Sequence, residues 1–282
     1  MDSKGPELLR QCTLPDKTEL QEHLLITPQS IMVGERSEID FGLEGDEIVV
    51  CELSSVKGDI HAAGDLRLDN WCTVTGDVIC GGDAYLGEGV KIDGRLTVQG
   101  DLDLGDNVQI GKGFETKGWI SIRNPMPVVA YIILYLITLL GLEREEDISE
   151  MLAKLFGTEE EDESLVTPLI LPANTILSMD IFEVPVPMTI GSDCRLHGNI
   201  RAQSVVIGNR NTIFGSLRAE KSVRIGHANV VHGKVSAGTE AEIFRKTHVL
   251  GAIRCRELTL DDDVCIDGMI QARDGVQFRK LS

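Results

Sequence analysis

Aromatic side chains are scarce in this chain: 7 Phe, 3 Tyr and 2 Trp make up 4% of its 282 residues. That argues against a deep globular core and suits a narrow interior filled by Val, Ile, Leu and Ala. Basic residues are also short, 27 Lys and Arg against 45 Asp and Glu, leaving a formal charge of −18. Such a surface repels a phosphate backbone and offers no basic stripe, so nucleic acid is not an expected partner. Paired cysteines are missing too. Cys12, Cys51, Cys72, Cys80, Cys194, Cys255 and Cys265 are odd in number and scattered, without a Cys-x-x-Cys spacing. They read as small buried hydrophobes of a reducing cytoplasm. There is no phosphate-cradling P-loop, so neither nucleotide nor any other cofactor is expected. Residues 1–30 lack the continuous apolar core of an export signal and read as a short, partly ordered leader.

What is abundant is glycine, 29 residues, and it is periodic. From Ile48 four 18-residue lines stack without a gap: IVVCELSSVKGDIHAAGD, LRLDNWCTVTGDVICGGD, AYLGEGVKIDGRLTVQGD and LDLGDNVQIGKGFETKGW. Apolar residues come as pairs two apart that recur every six positions, from Ile60/Ala62 and Leu66/Leu68 through Leu102/Leu104 to Ile120/Ile122. A spacing of two puts both members on one side of a short strand, and a bend every six residues closes three such sides into a coil. Gly58, Gly76 and Gly94 form one column, and Gly64, Gly82, Gly100 and Gly118 another; a positive φ is expected there. The aspartates that follow them, Asp59 and Asp77, and Asp65, Asp83 and Asp101, read as caps on turn amides and not as a cation ladder.

The same grammar returns later with Gly198, Gly215, Gly233, Gly251 and Gly268, spaced by 17 or 18. Inward pairs there include Val205/Ile207, Val223/Ile225 and Ile253/Cys255, while Asn211 and Asn229 suggest a stacked amide ladder. The expected fold is all-β, a parallel β-helix of hexapeptide type: a three-faced solenoid with 17–18 residues per coil and an inserted α-helical hairpin. The expected organisation is a leader at 1–30, a first block at 31–123, a helical insert with an acidic linker at 124–166, and a second block at 167–282.

The insert is the most apolar part of the chain, with no charged residue from Asn124 to Leu142. Val128, Val129, Tyr131, Ile132, Ile133, Leu134, Tyr135, Leu136, Ile137, Leu139 and Leu140 make a helix that is hydrophobic nearly all round, to be buried in lipid or protein. At about 1.5 Å per residue it reaches roughly 27 Å, just enough to span a bilayer core without tilt. One crossing would put like blocks on opposite sides of a membrane, so an anchor inserted at the inner face of the cell membrane, or a docked helix, is expected. Ile148, Met151, Leu152, Leu155 and Phe156 lie at helical spacing and predict a second, amphipathic helix.

One stretch invites a chemical reading. IGHANVVHG carries His227 and His232 beside a coil corner. It resembles the paired-histidine stretch of gamma-class carbonic anhydrases, hexapeptide solenoids that bind zinc through three histidines at subunit interfaces. Where the resemblance implies a third ligand, this chain has Arg218, and His197 shares the column of His232 two coils away, roughly 10 Å off. A trimeric hexapeptide-repeat enzyme, of this kind or of the acyltransferase kind, is therefore the alternative reading. The expectation is no enzyme and no metal.

The phrases GDI, GDV and GDL, each followed by an alternating apolar strand, resemble the bactofilins, polymer-forming cytoskeletal proteins, over about Ile48 to Ile122 and Met188 to Ala272. The resemblance implies a β-helix that polymerises end to end without nucleotide and can attach to the membrane. Two blocks and a helical insert depart from the family's single block between loose tails. End coils of such a fold expose backbone edges and an open core that another copy can cover. Val276 and Phe278, in GVQFRKLS, are the expected polymer-interface residues, and the chain itself and the membrane are the expected partners.

Overall fold

A computed structural model describes residues 11–21, 23–122 and 167–279. They form an all-β solenoid of about 12 turns, walled by one 24-stranded and one 12-stranded sheet. Each turn carries three short strands. Ile48–Val50, Ser55–Val56 and Ile60–Ala62 make one, and Leu66–Leu68 then stacks on Ile48–Val50 in parallel, Leu66 beside Ile48 and Leu68 beside Val50. At about 4.8 Å per turn the stack is roughly 55–60 Å long. The pairs two apart point inward as the pattern requires: Ile60, Leu66, Val78, Ala84, Ile92 and Leu96 are fully buried, as are Val205, Val223, Val235 and Ile253. Burial of one such Val, Leu or Ile is worth about 1.5–3 kcal/mol, so the interior column holds the turns together.

The glycine columns have a different cause from the one their positions suggest. Among the column glycines Gly198 has a positive φ, of 91°; otherwise positive φ falls at another corner, occupied by Lys17, Arg36, Leu53, Trp71, Gly89 and Asn107, and by Asn174, Asp193, Arg210, Ala228, Lys246 and Asp263. Gly58, Gly76 and Gly94 are instead required by close approach. A Cβ on Gly94 would run into the carbonyl of Gly76, and one on Gly76 into that of Gly58. The aspartates cap amides one turn further on. Asp65 Oδ1 accepts from the Asp83 amide at 2.8 Å, Asp83 Oδ1 from Asp101 at 2.7 Å, and Asp101 Oδ1 from Trp119 at 2.7 Å. The asparagine ladder runs through backbone groups. Asn229 Oδ1 accepts from the Asn211 amide and Asn211 Oδ1 from the Cys194 amide, while their Nδ2 groups donate to the carbonyls of Gly208 and Gly191.

The two blocks are joined through a seam. Strand Cys12–Leu14, expected in a leader, stacks in parallel on Met188–Ile190 of the second block, and Glu19–Leu20 on Arg195–Leu196. Reciprocally, Leu169–Leu171 stacks on Ile31–Val33 of the first block, and Ile176–Leu177 on Glu38–Ile39. Each block is thus capped by the segment that leads into the other. The caps meet antiparallel: Thr13 faces Ile170, Leu20 faces Leu25, and Leu177 faces Phe182. Every other strand pairing is parallel, so the blocks run in opposite directions away from the seam.

The seam also exposes an internal duplication. Asn107 and Asp263 are 156 apart, while five other left-handed residues pair with a counterpart at an offset of 157, among them Lys17 with Asn174, Leu53 with Arg210 and Trp71 with Ala228. At the same offset Thr18 Oγ1 donates to the Pro15 carbonyl at 2.8 Å and Thr175 Oγ1 to the Pro172 carbonyl at 2.6 Å.

Among the described residues there is no helix, and none long and apolar enough to cross a membrane. The helical hairpin expected within 124–166, including Val128 to Leu140, lies outside the described residues. One outward column of the first block is nevertheless covered. Met32, Val49 and Ile170 point away from the interior, between inward neighbours, yet are 1%, 3% and 2% exposed. In the same column the Arg67 guanidinium lies 4.1 Å from the centre of the Tyr85 ring. Burial raises the pKa of the Tyr85 hydroxyl, with Asp83 and Asp65 adding to the effect. Among the described residues all 36 strands belong to the coil walls, so none of these strands supplies the cover.

Candidate assembly surface

A solenoid stops where no further turn covers its core. In the first block this happens at strands Gln109–Ile110, Phe114–Thr116 and Ile120–Ile122, the last of their respective walls. Ile120 and Ile122 continue the columns of Leu102 and Leu104, and Phe114 continues that of Leu96. Their inward faces are therefore open: Phe114, Ile120 and Ile122 are exposed, and Trp119 beside them is 84% exposed.

The second block ends in the same way on strand Ile270–Arg279. Val276 and Phe278 lie in register with Leu258 and Leu260, two buried core residues, and extend their columns by one turn. The expected interface residues are thus the open end of the core: Phe278 is 69% exposed, with Val276, Ile270 and Met269 also exposed. The strand is pinned outside the core by Arg279, whose guanidinium reaches Glu242 and Asp261 and lies 5.2 Å from the Phe244 ring centre.

Because the blocks diverge from the seam, both free ends are the C-terminal ends of their coils. Each presents apolar side chains inside a rim of strand-edge amides and carbonyls, which suits end-on contact with another β-stack. The first-block end escaped the sequence reading as an interface. Phe114 and Ile120 are ordinary members of the repeat, and only their place before the insert marks them as terminal.

The histidines weighed as zinc ligands stand in aromatic contacts. His232 stacks on Phe214, with ring centres 4.7 Å apart, and His197 stacks on the opposite side of the same ring at 4.4 Å. His227 lies edge-on to Phe244 at 5.4 Å. Six cysteines are buried and Cys265 is exposed. Burial raises the Cys51 and Cys72 thiols to about 12, and the Cys80 and Cys194 thiols to about 11.

No curated protein and no solved structure matches the chain. Residues 183–271, which run through most of the second block, match the family model of the bactofilins, described as polymer-forming cytoskeletal, and this stretch is a bactofilin domain.

Proposed function

We propose that this chain is a cytoskeletal scaffold of bactofilin type that assembles end to end, without nucleotide, and associates with the inner face of the cell membrane through the apolar segment 124–142. The observation that supports the assembly is the open core at each end, where Val276 and Phe278 extend the Leu258 and Leu260 columns and are exposed, with no strand among the described residues stacked on them. Covering a Phe side chain alone contributes about 2–3 kcal/mol, and backbone pairing along the strand edge fixes the register. Electron microscopy of the purified full chain tests the proposal. Filaments are expected from the natural sequence, and none from Phe278→Arg at the same concentration. Filaments that persist unchanged in Phe278→Arg overturn this end as a mating surface.

A second reading of segment 124–142 rests on one observation, the burial of Met32, Val49 and Ile170 on an outward column. A hydrophobic segment of the same chain, docked on that face, would bury these side chains and its own apolar surface together. Flotation with vesicles of mixed neutral and anionic lipid separates the readings. Co-flotation of the full chain, lost when Ile133 and Leu136 become Ser, supports the membrane. A chain that stays at the bottom of the gradient supports the docked segment.

A further inference from the structure

We propose that His248, Cys265 and Asp267 form a divalent metal site of the zinc class on the outer wall of the second block. Among the described residues they are the one group of three or more potential ligands whose donor atoms lie close together, all within 4.8 Å of one another. The coil assembles them. His248 stacks directly on Cys265 in the parallel wall, and since Val249 points inward, both point outward. Asp267 follows two residues after Cys265, and its amide donates to the Val249 carbonyl at 3.0 Å, which fixes its carboxylate beside the histidine.

The donor set suits the metal. His248 Nε2 lies 2.9 Å from Asp267 Oδ2, and Cys265 Sγ lies 3.7 Å from Asp267 Oδ1. Tetrahedral zinc, with Zn–S about 2.3 Å and Zn–N about 2.0 Å, needs its donors about 3.3–3.6 Å apart, within a small side-chain adjustment of the present spacing. On binding, the Cys265 thiol gives its proton to solvent and His248 ligates as the neutral ring through Nε2. Thiolate and carboxylate together balance the metal's two positive charges. Three protein donors leave a fourth position for water. Strand Cys265–Ile266 is the last of its wall, so the edge beyond this site is open.

Cobalt(II) titration of the reduced full chain, followed by visible absorption, tests the site. One equivalent is expected to give a thiolate-to-cobalt charge-transfer band, displaced by zinc. Cys265→Ser should abolish the band, and His248→Ala and Asp267→Asn should each weaken binding at least tenfold, with melting curves close to the natural chain. His227→Ala should leave the titration unchanged. No charge-transfer band in the natural chain, or a band that survives in Cys265→Ser, overturns the proposal.

Discussion

Val49 and Val206 occupy the same outward position of the same face in the two blocks, 157 residues apart, yet Val49 is 3% exposed and Val206 is 43% exposed. Both lie between inward neighbours that are fully or nearly fully buried, Ile48 and Val50 in one case, Val205 and Ile207 in the other. The duplicated sequence therefore does not explain the difference. One block has a covered wall where the other has a solvated one.

The same charge placed at the two positions should report that cover. Val49→Asp puts a carboxylate in a dry wall, one turn from the Arg67 guanidinium, which offsets only part of the desolvation, and is expected to cost about 2–4 kcal/mol. Val206→Asp leaves its carboxylate in water and should stay within about 0.5 kcal/mol. Urea unfolding followed by circular dichroism measures both, and equal costs would remove the case for a covered face.

The asparagine ladder makes a second comparison. Asn229 is fully buried, accepts from the Asn211 amide and donates to the Gly208 carbonyl. Asn229→Leu leaves both backbone groups unpaired inside the coil, an expected loss of about 2–4 kcal/mol. Asn229→Thr should cost less, because Thr247 already fills the equivalent place one turn on, its Oγ1 donating to the Gly226 carbonyl at 2.7 Å and accepting from the Asn229 amide at 3.4 Å. The unfolding midpoints should rank natural, Thr, Leu; a Leu variant as stable as the natural chain would mean that the ladder holds nothing.

The turns were readable in the sequence because their contacts recur at one period. Leu66 over Ile48 and Val78 over Ile60 are both steps of 18, and a repeated step leaves a column. The seam was not readable in that way. Thr13 meets Ile170 once, antiparallel, and nothing along the chain repeats to announce it. A trace exists in the offset of 157 that aligns Pro15 with Pro172 and Gly34 with Gly191, but it marks kinship of the blocks and not which segment caps which. The trio of His248, Cys265 and Asp267 was hidden by the slip of the coil to 17 residues, which alone puts the histidine over the cysteine. The glycine columns were found where they stand, while their cause, backbone crowding between turns, needs the third dimension.

That crowding gives a third prediction. Gly94→Ala would drive a Cβ into the Gly76 carbonyl, where the opposing atoms are backbone and cannot rotate away, so about 2–4 kcal/mol should be lost as the turns separate. Gly64→Ala meets its nearest neighbour, Asp46 Oδ1, at an ordinary 3.5 Å and should be tolerated within about 0.5 kcal/mol. Neither glycine lies in the left-handed region, so backbone strain does not confuse the pair. Thermal melting distinguishes them, and comparable losses at both sites would refute close approach as the reason for the column.

The buried thiols tie stability to alkaline pH. Burial first, and nearby carboxylates after it, hold Cys51 at about 12 against an ordinary 9.0, and burial also takes Cys72 to about 12. Cys12 is displaced further in the same direction by burial alone. For an acid whose folded pKa is raised, the unfolded chain loses its proton first. The contribution is therefore whole below about pH 9 and is lost as pH climbs through 9 towards 11–12. The urea midpoint should hold its value from pH 7 to 8.5, as far as these thiols decide it, and fall at 10.5. The fall should be shallower in a Cys51→Ala, Cys72→Ala variant, which controls for tyrosine and lysine titration. Reaction with a chromogenic disulfide at pH 8 provides an independent reading. The natural chain should yield one thiol, Cys265, slowed because desolvation and the Asp267 carboxylate raise its pKa, and the other six only after unfolding. More than one thiol titrating in the folded chain, or equal alkaline sensitivity in the double variant, would break the link between the closed interior and this pH dependence.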